Sequence, residues 1–255
     1  MKTEYRRKVR ELRPGLFQLA GRMPDCHSYV ILGNEKSVMI DTGLPQSEEA
    51  IRMGLSEIGL AVEDIDLVLL THEHLDHIGS APLFFATAII ATHRLAAMKI
   101  RLQDEFAMMN QLFGLSADGF RVDLCLEAGS VIQTGNYNLI VVHTPGHSSG
   151  SICLYEPDQR LLFAGDTVLT GGNIGGVFGS GSISDYIESV ERLKMLQVDD
   201  YYPGHGPASE NPPREFQAAI DRAATMLADS KALFNVVREK SRFEHIREYM
   251  KHLND

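Results

Sequence analysis

The chain has 255 residues of which 44% are hydrophobic, enough apolar mass to bury a full core, and one domain is the simplest arrangement. A net charge of -10 and a sequence pI near 5.5 exclude a general basic field for nucleic acid or an anionic membrane, leaving only a local basic patch as a route to RNA. Three cysteines, Cys26, Cys125 and Cys153, form no closely spaced pair, so a disulfide framework is not expected. No apolar run approaches membrane-spanning length and no signal-peptide pattern follows the charged start, so the expectation is a soluble, cytoplasmic protein.

Short strands are expected first, at Leu16–Leu19, Ser28–Leu32 and Ser37–Ile40, with Gly33-Asn34 as a hairpin turn between the last two. The third strand ends in Asp41-Thr42-Gly43. Asp41 reads equally well as a support for a ligand histidine or as the cap of the next turn. Ile51, Leu55 and Ile58 have helical spacing and stop at Gly59. The apolar run 66–70 reads as a buried strand, and a helix over Ile78–Phe85 leads to a strand at Ala88–Ala91. This strand, helix, strand rhythm makes part of the sheet parallel.

Between Arg94 and Phe113 the apolar residues Leu95, Met98, Leu102, Phe106, Met109 and Phe113 fall three or four apart, the pattern of one helix with a core-facing stripe. Ile100, Met108 and Leu112 make a second flank, suited to packing, a substrate lid or a homodimer contact. Strands return at 130–132, 137–142, 151–155, 161–164 and 200–202. A helix is expected over Ile183–Leu196, a long one over Arg214–Val237, and a short one through Phe243, Ile246 and Met250. The domain expectation is one unit over residues 1–255 with a helical insertion near 94–122 and C-terminal helices over 213–253. Cys125 and Cys153 read as small buried hydrophobes.

The stretch Thr71-His72-Glu73-His74-Leu75-Asp76-His77 follows the 66–70 strand directly. His72 and His74 are two apart, so in extended chain they point the same way and can grip one ion. Asp76 and His77 begin the next turn and face a neighbouring ion. Imidazole and carboxylate donors together favour zinc, iron or manganese over calcium or magnesium. Glu73, between the two, points away from the ions on the same alternation. Three later segments repeat the design of a donor beside glycine at a strand end: His143-Thr144-Pro145-Gly146-His147, Ala164-Gly165-Asp166-Thr167 and Pro203-Gly204-His205-Gly206. His27 and His93 match none of these segments.

With Asp41-Thr42-Gly43, these motifs in this order resemble the metallo-β-lactamase-fold hydrolase superfamily over residues 41 to 206. The resemblance implies an α/β fold, an αββα four-layer sandwich. It implies that His72, His74 and His147 hold a first metal, that Asp76, His77 and His205 hold a second, that Asp166 bridges them, and that Asp41 orients a ligand histidine. His143 has no ligand role in that pattern. The expected cofactor is zinc, two ions per chain, with iron or manganese as substitutes.

A bridging hydroxide would then attack an ester, thioester, lactone or phosphodiester of a small-molecule substrate, with Asp76 as the catalytic residue that takes or relays the proton. The family lactonases place tyrosine where Leu169 stands. Thr144 to Gly150 is similar to glyoxalase II, whose glutamate-tyrosine after the last histidine is replaced by Gly206-Pro207. The Pro203 to Pro207 ending resembles small endoribonuclease-like members. The alternative chemistry in the same fold is a mononuclear iron persulfide dioxygenase. The glycine-rich 171–181 segment is either a wall of the pocket or a connector.

Overall fold

The computed structural model describes residues 5–116 and 118–251. Two sheets face each other with helices outside. The first sheet has seven strands in chain order: β1 (Lys8–Arg13), β2 (Leu16–Ala20), β3 (Ser28–Leu32), β4 (Ser37–Ile40), β5 (Leu67–Leu70), β6 (Ile89–His93) and β7 (Leu124–Leu126). β1 to β4 form an antiparallel meander, and β4 to β7 run parallel. The second sheet has the order β12 (Asp200–Pro203), β11 (Leu161–Gly165), β10 (Ile152–Glu156), β9 (Asn138–His143) and β8 (Val131–Gln133). It is antiparallel except where β11 meets β12.

The parallel half follows from composition. All four residues of β5, Leu67-Val68-Leu69-Leu70, are buried, as expected for a strand covered on both faces. Between the sheets lies a core of alternate residues such as Ile31, Val38, Leu69, Val141, Leu154 and Phe163. The outer face of the first sheet packs on α1 (Glu48–Glu57), the 81–84 turn and α3 (Arg94–Arg101) through Ile51, Leu55, Phe84 and Ile100. The outer face of the second sheet packs on α5 (Ile183–Lys194) and α6 (Pro212–Lys251) through Tyr186, Val190, Phe216 and Ile220. These four layers are the αββα sandwich expected from the motifs.

Several expected elements differ. The α-helix after the histidine cluster, α2 (Leu75–Ile78), is one turn long. Pro82, which lacks an N–H, sits in a separate 3₁₀ turn over Ala81–Phe84 rather than in a continued helix. The single helix expected over 94–113 is two, α3 and α4 (Asn110–Phe113), separated by left-handed backbone at Gln103 and Met109. The break inverts the burial pattern. Ala96, Ala97, Ile100 and Met108 are buried, while Met98, Leu102 and Phe106, from the expected core stripe, are 54%, 74% and 70% exposed. Two alanines let α3 approach the sheet closely, which a count of bulky residues does not anticipate.

The C-terminal region is one continuous helix, α6, where two were expected, and the expected end at 253 lies outside the described residues. Cys153 is buried as anticipated, but Cys125 is exposed on the short edge strand β7. β1 and β7 were not foreseen. No helix among the described residues is long and apolar enough to cross a membrane.

Candidate metal centre

All seven donor residues singled out in the sequence lie at one end of the sandwich. β5 delivers Thr71 to His77, β9 leads to His147, β11 to Asp166 and β12 to His205. His72 and His74 precede α2 in extended chain, and the N-cap residue His74 has β backbone. Asp76 and His77 fall in the helical turn.

Two groups of donor atoms result. In the first, His72 Nε2 is 3.0 Å from His74 Nδ1, and His147 Nε2 is 3.2 Å from His72 Nε2 and 2.9 Å from His74 Nδ1. Three ring nitrogens converge pairwise on one point, and hydrogens alone cannot satisfy three mutually facing nitrogens. In the second, His205 Nε2 lies 3.2 Å from Asp76 Oδ2, and His77 Nε2 lies 3.8 Å from the same oxygen. Asp166 stands between the groups. Its Oδ1 is 3.4 Å from His77 Nε2, and its Oδ2 is 3.6 Å from His205 Nε2 and 3.9 Å from His147 Nε2.

Buried without a hydrogen-bond partner, His77 Nε2 and Asp166 Oδ1 face each other. Such orphaned atoms are costly in a folded protein and call for a ligand. Imidazole and carboxylate donors of this number fit a transition metal such as zinc. The backbone leaves room for one: a Cβ on Gly204 would stand 2.3 Å from Asp166 Oδ1 and 2.6 Å from His77 Cε1. Gly146, with φ +147, likewise lets the turn before His147 lie against Tyr186, whose Cα would be 2.4 Å from a Cβ there.

The surrounding bonds aim the rings. Asp41 Oδ2 accepts from His77 Nδ1–H at 2.8 Å, while Asp41 also accepts from the Thr71 backbone N–H and hydroxyl, both at 2.7 Å. Of the two local readings of Asp41, it is therefore the histidine support. His147 Nδ1–H donates to the Gly176 carbonyl at 3.0 Å, so the glycine-rich segment is tied into the site. Glu73 points away from the donor groups as alternation required. It is fully buried and accepts from Lys99 Nζ (2.7 Å), the Ser148 hydroxyl (2.9 Å) and the Ser180 hydroxyl (3.1 Å).

Burial, reinforced by the neighbouring imidazoles, holds His72 and His74 well below the ordinary histidine pKa. It lowers His147 too, so these rings are neutral with lone pairs free to bind. Burial also works against charge on His77 and His205, but it is outweighed by Cys26, Asp166, Asp41 and Asp76 around His77, and by Asp166 and Asp76 around His205. Both end above the ordinary value. For Asp166, burial opposes ionisation and the charges of His205, His77 and His147 overcome it, holding the carboxylate well below its usual range. Two carboxylates and two imidazoles that favour cations describe a pocket for positive charge.

A cavity of about 220 Å³ opens over the donors. His74, Asp76, His147, Asp166 and His205 form its floor, and Met23, Pro24, Met109, Leu112, Phe113, Leu169 and Phe178 form apolar walls. Phe178 stands edge-on to the His147 ring at 5.8 Å. Sequence reasoning missed Met23, Pro24 and the site's buried Glu73–Lys99 pair, because those residues meet only through the fold. His27 and His93 are packed histidines outside the centre, and His143 bonds to the Ser149 carbonyl and stacks on His93 at 3.9 Å.

Comparison with known proteins adds an independent line. The model of the metallo-beta-lactamase superfamily matches residues 22–205. The acyl-coenzyme A thioesterase MBLAC2 of Homo sapiens is 34% identical over 226 residues, which is 77% of this chain and 80% of that protein. The atrochrysone carboxyl ACP thioesterase of Aspergillus fumigatus is 30% identical over 89% of this chain and 64% of its own length. Among solved structures, a metallo-beta-lactamase family protein of Thermus thermophilus superposes with a TM-score of 0.71 at 25% identity, covering 89% of this chain and 84% of that one.

Proposed function

The chain belongs to the metallo-β-lactamase superfamily and is a metal-dependent hydrolase, and from that premise we propose that it cleaves thioesters with two zinc ions held by the seven converging residues. His72, His74 and His147 would hold the first ion and Asp76, His77 and His205 the second, with Asp166 standing between the two groups of donors. When bound, the ions supply Lewis acidity and water activation at neutral pH.

The remaining work is done by this chain's own groups. The apolar walls bind the acyl group and exclude water from the reacting bond. Asp76, at the mouth with its side chain 16% exposed, is placed to take or relay a proton beside the reacting bond. Asp41 and the Gly176 carbonyl hold the ligand rings in one orientation.

The observation that carries the thioester reading is this apolar cavity directly over the donors, whose walls suit an uncharged acyl chain and carry no lysine or arginine for a phosphodiester backbone. That two relatives are named thioesterases supports it. Free Cys26, Cys125 and Cys153 accord with a cytoplasmic setting.

The test is a panel of acyl-coenzyme A, lactone and phosphodiester substrates, with oxygen uptake on glutathione persulfide as a further arm and metal quantified in the same sample. Thioester hydrolysis with two metal ions per chain is expected. Turnover of another panel member in its place, or full activity at one ion per chain, overturns the proposal.

A further inference from the structure

A second cleft, of about 390 Å³, adjoins the acyl cavity, and Met23 and His205 line both. Its walls come from β1 and β2 (Arg10, Leu12, Gln18), from His27 and Tyr202, and from the turn after His205. The two spaces differ in character. The acyl cavity has no lysine or arginine on its walls, whereas Arg10 stands in the second cleft.

Arg10 pairs with Gln18 in the β1–β2 register, before the irregularity at Leu12, and Gln18 donates to the hydroxyl of Tyr29 in the core between the sheets, so the Arg10–Gln18 pair lies on the inter-sheet face. Arg10 is therefore aimed along the inter-sheet side at its open edge. It is exposed, and among the described residues it makes no hydrogen bond or ion pair. Two nearby arginines are engaged: Arg7 binds Asp25 at 2.7 Å and the Ser28 hydroxyl at 2.6 Å, and Arg13 binds Asp200 at 2.5 Å.

The remaining lining groups do not oppose an anion. Asp25, the one carboxylate on the cleft wall, is neutralised by Arg7. Burial pushes the His27 pKa down, so the ring is neutral. Its Nδ1 accepts from the Gly21 N–H at 3.0 Å and its Nε2–H donates to the Gly206 carbonyl at 2.7 Å. On a chain of net charge -10, a local unpaired cation is what favours an anionic ligand in this cleft.

A thioester has two chemically distinct arms, and here two chemically distinct spaces meet at His205 beside Asp76 and Asp166. We propose that the second cleft holds the thiol carrier of the substrate and that Arg10 pairs with an anionic group on that carrier. This rests on the thioester reading. Phosphate, as in phosphopantetheine and coenzyme A, and carboxylate, as in glutathione, share the required chemistry.

Two measurements test it. In calorimetry, free 4′-phosphopantetheine and free glutathione are titrated separately into the intact metal-loaded protein. Saturable binding of one of them is expected, about tenfold weaker in Arg10→Ala, weaker again in Arg10→Glu, and largely restored in Arg10→Lys. This needs no turnover, so it stands apart from the failure of the thioester reading itself. If the wild-type protein binds neither thiol, or Arg10→Glu binds as tightly as wild type, the proposal is overturned.

In kinetics, Arg10→Ala lowers kcat/KM for the acyl-coenzyme A about tenfold relative to the same acyl group on the neutral thiol N-acetylcysteamine. An equal loss on both esters contradicts recognition of the anion.

Discussion

The Asp41 carboxylate is 2.8 Å from Nδ1 of His77, and this contact turns the far side of the ring, Nε2, towards Asp166. Asp41 is held in turn by two bonds from Thr71, the residue that opens the histidine cluster. Its own backbone is left-handed, with φ 54, a conformation that asparagine tolerates nearly as well.

Asp41→Asn therefore keeps the turn but presents an amide to a ring N–H. Metal affinity falls about 10–100-fold, the usual cost of losing the group that orients a ligand histidine. Competition with a chromophoric chelator measures it, and an affinity equal to wild type contradicts the role.

Glu73 is the anchor beneath the donors. Removing it leaves Lys99, whose ammonium is mostly enclosed, without its counter-charge, and takes the acceptor from the hydroxyls of Ser148 and Ser180. Glu73→Ala should cost of the order of 3 kcal/mol in a urea titration, the low end of the range for a broken buried pair because Lys99 is 15% exposed. Glu73→Gln, which can still accept from Ser148, should lose less. Equal losses in the two variants would show that charge plays no part.

His93 gives the fold an acid-sensitive point. Burial, with His143 stacked on it at 3.9 Å, pushes its pKa down to about 4. Between the unfolded value near 6.5 and this folded value the unfolded chain binds a proton that the native state refuses, so stability declines as pH falls through that window. From pH 7 to pH 5 the contribution is about 1–2 kcal/mol. In His93→Gln the urea midpoint should fall less over the same range, and parallel curves for the two proteins rule this out.

Phe178 caps the acyl cavity, 5.8 Å from the His147 ring and 6.2 Å from the His74 ring, with 41% of its surface still exposed. Truncation to alanine removes apolar contact worth about 1 kcal/mol. KM for longer acyl chains should rise roughly fivefold, with little change for an acetyl ester. A uniform change in KM at all chain lengths would place Phe178 outside the acyl path.

Much of this architecture was legible because the donors are local in sequence. His72, His74, Asp76 and His77 occupy six positions, and period-2 alternation followed by one helical turn predicts which of them share a side. The β5 run reads as buried because no polar residue interrupts it. What escaped was set by contacts between distant segments. Lys99 meets Glu73 only because α3 packs across the first sheet, and Met23 and Leu112 line one cavity only because a loop and α4 converge over the site.

The inverted stripe on α3 has a more specific cause. Its spacing pattern is equally consistent with either face, and the left-handed residues Gln103 and Met109, which break the helix, have side chains that give no such signal. The edge strands β1 and β7 were hidden for a related reason: they carry charged or exposed positions where period-2 alternation would place apolar ones.

The donors are split between the sheets, four after β5 and three after β9, β11 and β12. During synthesis the ribosome releases the first four long before His147, Asp166 and His205, so the nascent N-terminal half carries an incomplete donor set. If these residues hold metal as proposed, full loading would be a late event in the life of each molecule, one that waits for the second sheet to close over the first. On the proposed ligand set, bound metal would then resist parting of the sheets, and parting the sheets would release it.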